Sequence, residues 1–166
     1  MPTVALRIVN LRRTPAGSES DDPRRSVGER AERLAAGYLV GLGWRLLARN
    51  WRIGAGELDL VGLDRRTLVF VEVKALRAGG RAGPGRPVLA VGPSKQDRLV
   101  RLASAWLSGP GRNPALARRW QGTRFDVIGI EFGRQGAEPV LEHIEDAFRP
   151  GESPGRRPPG HRRGWR

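Results

Sequence analysis

The chain has no cysteine, only two histidines, and only two lysines among its 30 basic residues. Without cysteine there is no disulfide, no thiolate metal site and no thiol nucleophile, a composition that fits a cytoplasmic protein. The histidines are His143 and His161. So sparse a set argues against His-based metal sites, a Ser-His-Asp triad and a His-metal finger nuclease. No apolar run approaches the ~18 residues that a membrane span requires, and the basic first 13 residues contain no signal-peptide core. Acids are outnumbered, 17 against 30 bases, for a net charge of +13.

That charge is not confined to the ends. Residues 1–25 carry +2, residues 149–166 carry +5, and residues 26–148 keep +6 from 19 bases and 13 acids. Such a balance points to a polyanionic partner, nucleic acid first, although an arginine-rich codon bias would leave the same trace. Three segments follow: a disordered basic N-terminal extension (1–25), one domain of ordinary size (26–148), and a disordered Arg/Pro/Gly-rich tail (149–166). Within the domain, periodicity predicts a helix from Ser26 to about Gly41 and a strand over 44–51. Hairpin strands follow over 57–63 and 68–74, and a helix capped by Ser94 runs to about Leu107. Two last strands cover 123–132 and 138–144. The order is α-β-β-β-α-β(-β), an α/β fold with a mixed central sheet flanked by helices.

Two strings dominate the domain: Gly56-Glu57-Leu58-Asp59-Leu60 and Val69-Phe70-Val71-Glu72-Val73-Lys74. Both read as strands, and both carry acids where a buried strand should carry none. A two- or four-residue turn at Asp64–Thr67 puts Asp59 opposite Glu72 and Glu57 opposite Lys74. Strand alternation then sets Asp59, Glu72 and Lys74 on one face, with Leu58, Leu60, Val71 and Val73 on the other, the core face. Like charges directly opposed destabilise a sheet, and a divalent cation between them removes the conflict. Carboxylate oxygens suit Mg²⁺ or Mn²⁺, ions that support phosphodiester hydrolysis, with Lys74 placed to orient water or meet transition-state charge. Glu29 has two readings: the last member of a Ser26-x-x-Glu29 capping box, or a third carboxylate for the metal. Lys95, Arg98 and Arg101, three residues apart on the second helix, read as a phosphate-binding ridge or as a solvated face. Arg77 and Arg81 lie in a long Gly-rich loop after Lys74, suited to a nucleic-acid backbone. Glu57 pairs with Lys74 or lies just outside the acids. Arg124 and Asp126 share a strand face and can pair with each other.

These residues resemble a known family. Gly28-Glu29 opening the first helix, Gly-Glu-Leu-Asp-Leu, Val-Phe-Val-Glu-Val-Lys, the Lys95 helix and Arg124-Phe125-Asp126-Val127-Ile128 look like the YraN-like family of uncharacterised bacterial proteins. That family is similar in turn to the PD-(D/E)xK nuclease superfamily, above all to its Holliday-junction resolvases. The resemblance implies a restriction-endonuclease-like core and a Mg²⁺- or Mn²⁺-dependent endonuclease acting on DNA rather than RNA. It also implies a homodimer. It places Asp59 at the superfamily's Asp, Glu72 and Lys74 at its Glu-x-Lys, Glu29 at the helix glutamate of the resolvase-like branch, and the carbonyl of Val73 as a further metal ligand. The competing reading is a non-catalytic nucleic-acid-binding module on the same fold. Ala75, where a small polar residue is expected, and the long Gly-rich loop depart from the pattern.

Overall fold

The computed structural model describes residues 6–10, 23–77, 91–133 and 137–151. Six strands form one mixed sheet: β1 (Leu6–Asn10), β2 (Arg45–Ile53), β3 (Gly56–Asp64), β4 (Thr67–Arg77), β5 (Gly122–Phe132) and β6 (Val140–Phe148). Their spatial order is β1-β6-β5-β4-β3-β2. Only β4 and β5 run parallel, and parallel neighbours need a crossover. Among the described residues, helix α2 (Pro93–Ser108), a 3₁₀ turn and the short α3 (Pro114–Ala117) lie in it. Helix α1 (Pro23–Gly41) precedes β2. Strands β2 to β6 and the two main helices keep the expected order.

The sheet is covered on both faces, so it has two cores rather than the single core face expected. Under α2, Leu99, Leu102, Ala103 and Trp106 pack on Val61, Leu68, Phe70 and Phe125. Under α1, Ala31, Ala35, Ala36 and Leu39 pack on Leu60, Val69, Val71, Ile128 and Ile130. Each large side chain so buried contributes about 1.5–3 kcal/mol. Strand β4 lies at the centre, and its run of apolar residues suits burial on both faces.

Several boundaries differ from the sequence reading. Leu6–Asn10, inside the extension read as disordered, pairs antiparallel with β6. Its alternation is too short to stand out, and pairing with an existing sheet edge supplies its hydrogen bonds. Residues 1–5, 11–22 and 152–166 of the two terminal segments lie outside the described residues. Helix α1 begins at Pro23, whose ring suits a first helical position. Ser26 is therefore inside the helix rather than at its start. Gly92, not Ser94, caps α2, with Pro93 next. Strand β4 runs on to Arg77 because it continues to pair with β5 through Arg77↔Phe132.

The β3–β4 hairpin is closed at one end. Arg65 and Arg66 form a two-residue turn with Arg65 at φ 53°, the positive φ such turns need. Arg124 of β5 pins this end. Its guanidinium donates to Asp126 at 2.8 and 3.0 Å and to Asp64 at 3.3 Å, and it lies 3.4 Å from a Glu145 oxygen. Asp126, fully buried, also accepts from the Asp146 N–H at 3.0 Å and meets His143 Nε2 at 2.9 Å. The register of β5 against β6 shifts beside Asp126, and Asp146 takes φ 52° to aim its N–H there.

Two outcomes are expected. Deleting residues 1–10 removes an edge strand and uncovers β6, lowering unfolding free energy by about 1–3 kcal/mol and promoting association through the bare edge. Urea titration and light scattering measure both, and an unchanged midpoint would leave β1 without a stabilising role. Arg124→Met takes the guanidinium from the buried Asp126 carboxylate and should cost about 3–5 kcal/mol by urea titration, with part recovered in the double variant Arg124→Met/Asp126→Asn.

Candidate active site at the opening of the β3–β4 hairpin

The opposite end of the hairpin opens. Ladder pairing runs from Asp64↔Thr67 to Leu60↔Val71 and stops there. One step further, the same register puts Asp59 opposite Glu72. Beyond it β3 stays with β2 through Trp51↔Leu58 and Arg52↔Glu57, and β4 stays with β5. Asp59 turns into the gap, its Oδ2 accepting the Val73 N–H at 2.7 Å. A side chain thus replaces the backbone ladder. Strict alternation also breaks here. Leu58 packs in the core under α2 and Leu60 in the core under α1, so the expected common face for these two leucines is not formed. Opposite Asp59 in the β2 register, Asn50 adopts φ 48°.

Both acids are buried, Asp59 at 8 % and Glu72 at 3 % exposure. Glu72 Oε1 receives two ammonium groups, Lys74 Nζ at 2.7 Å and Lys95 Nζ at 3.0 Å. Its Oε2 is buried with no hydrogen-bond partner. The Asp59 carboxyl is pushed up to about 7, chiefly by burial and next by the Glu72 charge, against the opposing effect of the Val73 N–H. Glu32 of α1 adds to that rise and Lys95 counters it. Glu32, half-buried, is itself shifted upward by burial; a hydrogen bond with Asn50 opposes the shift, and the charges of Glu57 and Glu29 add to it. A chain of net +13 has therefore gathered negative charge at this opening.

Glu57 faces its β2 partner and pairs with Arg52 at 2.7 Å, not with Lys74. Glu29 sits about two turns into α1 rather than at a helix end, and its charge acts on Glu32 and Arg52. Among the described residues no three acidic or imidazole side chains form a ready-made metal cluster. Lys95, expected on an outward ridge, reaches in to Glu72. Arg98 Nε donates to the Ala55 carbonyl at 2.9 Å, holding the β2–β3 turn. It lies against Gly56, at φ 140°, where a Cβ would collide with the guanidinium. Arg101 remains exposed. Val73 follows Glu72 with its N–H held by Asp59, Arg77 ends β4, and Arg81 lies outside the described residues.

Glu32 is the residue the sequence reading missed. It stands three, four and seven positions before the buried Ala35, Ala36 and Leu39, so at 100° per residue it falls within the apolar stripe of α1. An acid inside an apolar stripe is a readable signal. Asn50, its hydrogen-bond partner, gives no comparable one.

Residues 31–130 match the Uncharacterised protein family UPF0102. The chain belongs to this family. A UPF0102 protein of Rhodococcus jostii is 43 % identical over 74 % of this chain and 96 % of its own length. One of Geobacter sulfurreducens is 44 % identical over 81 % and 96 %, and one of Anaeromyxobacter dehalogenans 40 % identical over 88 % and 96 %. Among solved structures, that of Pyrococcus furiosus SfsA in complex with Ca²⁺ is similar over 71 % of this chain and 62 % of its own, with 18 % identity and a TM-score of 0.33. The UPF0102 match spans α1 through most of β5, and so includes Glu32, Asp59, Glu72, Lys74 and Lys95. No helix of the described residues is long and apolar enough to cross a membrane.

The raised Asp59 carboxyl has a measurable consequence. Unfolded, it ionises near pH 3.9; folded, near 7. Between those values the folded chain holds a proton that the unfolded chain has released, so this group's contribution to stability falls as pH rises from about 4 to about 7. Asp59→Asn should be more stable than wild type at pH 8, by on the order of 2 kcal/mol, with little or no advantage at pH 4. Thermal melts at both pH values test it. An equal difference at both would mean that the Asp59 charge is not under electrostatic strain.

Proposed function

We propose that this UPF0102 protein is a metal-dependent nuclease that hydrolyses phosphodiester bonds, with DNA the favoured substrate. The carrying observation is the buried Asp59–Glu72 pair at the open end of the hairpin, with one Glu72 oxygen buried without a partner and two lysine ammonium groups on the other. A satisfied structural ion pair has partners for its buried carboxylate oxygens, and strongly raised carboxyls gather at functional sites. Hard carboxylate oxygens suit Mg²⁺ or Mn²⁺, and the unpartnered Oε2 fits that group. Asp59 and Glu72 would hold the ion, with the Val73 carbonyl beside them and Glu32, more than Glu29, as the acid reaching in from α1. When bound, such an ion activates water and offsets charge on a phosphoryl group.

The chain's own residues account for the rest. Asp59 is kept in place by the Val73 N–H. Lys74 has three donors and spends one on Glu72, which leaves donors to meet a phosphate oxygen or orient a water. Exposed Arg101 and the basic surface suit a nucleic-acid backbone. The resemblance to resolvase-like nucleases supports the same reading, along with a homodimer, and the cysteine-free composition fits a cytoplasmic location. The alternative, a non-catalytic nucleic-acid-binding module, has no use for the bare Oε2.

The test is single-turnover cleavage of a panel (duplex, flap, four-way junction, single strand and RNA) with Mg²⁺ and with Mn²⁺. Wild type should cleave at least one substrate. Lys74→Arg should fold and bind nucleic acid normally but lose cleavage by on the order of 10²-fold or more, because the larger planar guanidinium puts its charge elsewhere. Full activity in Lys74→Arg would remove Lys74 from the reaction. Binding without cleavage of any substrate would assign the protein to the binding-module class.

A further inference from the structure

The chain has 28 arginines and two lysines, Lys74 and Lys95. Both lysines converge on one atom, Glu72 Oε1, at 2.7 and 3.0 Å. Lys74 arrives two residues along the same strand. Lys95 arrives from the first turn of α2, where the helix dipole disfavours a cation and where no acid of that turn offsets it. A hydrogen bond from Gln96 Nε2 to the Val91 carbonyl, at 2.9 Å, ties that turn to the chain entering the helix. The contact that holds Lys95 is therefore across the fold.

Residue type matters here. Two ammonium groups can share one carboxylate oxygen. A guanidinium at either position would engage both oxygens through its planar fork. Two lysines saturate Oε1 and leave Oε2, buried, without a partner.

We infer that Lys95 is a positioning residue for the nuclease site. It acts as the standing counter-ion of Glu72, so that Lys74 can turn to a substrate phosphate without stranding a buried charge. It also keeps Glu72 rotated so that Oε2 stays without a protein partner. A buried carboxylate that lost its sole partner would be strongly destabilised, and with Lys95 in place Glu72 keeps a counter-ion when Lys74 moves. The inference rests on the nuclease reading for the phosphate and metal, but the ammonium arrangement is testable without either.

Only two side-chain amines exist in the chain, and both are partly open to reagents, at 28 % and 31 % exposure. Acetic anhydride labelling followed by peptide mass spectrometry therefore reads each lysine separately. Glu72→Gln should speed labelling of both. Lys95→Met should slow Lys74 by about threefold, because Glu72 then keeps it undivided and a like charge is gone. The same variant should lower single-turnover cleavage by about tenfold or more while leaving affinity for a random-sequence DNA duplex, and its salt dependence, unchanged. Lys95→Arg retains the charge and guards against an unfolded Met variant. Its fork should cover Oε2 and weaken Mn²⁺ binding, read by calorimetry, by about tenfold or more.

Unchanged Lys74 labelling in Lys95→Met would overturn the inference. So would wild-type Mn²⁺ affinity in Lys95→Arg. Weakened duplex binding with a shallower salt slope and unaltered Lys74 labelling would return Lys95 to a phosphate ridge. If wild type neither binds Mn²⁺ nor cleaves, the nuclease reading fails on its own, and the labelling result still decides whether Lys95 is the partner that frees Lys74.

Discussion

Two carboxylates facing each other in a low-dielectric gap, where neighbouring strands would otherwise be laddered, constrain the arrangement around them. Like charges opposed across a pair of strands repel, and burial multiplies the cost. The structure answers in several ways at once. The β3–β4 ladder stops at Leu60↔Val71. Asp59 takes up a backbone N–H that the ladder would have used. Two lysines from different elements converge on Glu72, and α2 begins where its third residue can reach that acid. Even so Asp59 is left raised toward neutrality.

The two ends of the hairpin make an internal control. At the closed end Asp126 is just as buried, yet its carboxylate is met by a guanidinium, an imidazole and a backbone N–H. That is how a buried acid looks when its role is to hold strands together. It ties β5 to β6 and, through Arg124, to the end of β3, so the hairpin is rigid where it turns. At the open end the complement is incomplete, with a bare Oε2 and an excess of acids. The difference lies in satisfaction, since both acids are comparably buried. This incomplete satisfaction is the feature on which the proposed cation site rests.

Arginine and lysine separate along the same line. Arg124, Arg52 and Arg98 are used where a planar, directional donor fits: against carboxylates at strand ends, or against the Ala55 carbonyl. The two lysines occur together where a compact charge must share one oxygen. Their placement explains why Lys95 sits in a helix turn whose dipole opposes it.

From the sequence alone, the strand acids, the hairpin centred on Arg65 and Arg66, the opposition of Asp59 to Glu72 and the apolar stripe of α2 could all be read. Each depends on local periodicity and turn length, which the chain carries residue by residue. Glu32 was also open to reading, as an acid inside an apolar stripe. The remainder belongs to the tertiary structure, because it depends on distances between segments far apart in the chain. The edge strand Leu6–Asn10 exists because β6 offers it a partner. Glu57 turns to Arg52 because β3 follows β2 past the opening. Lys95 and Arg98 leave their ridge because Glu72 and the Ala55 carbonyl lie within reach, and no helical period records that.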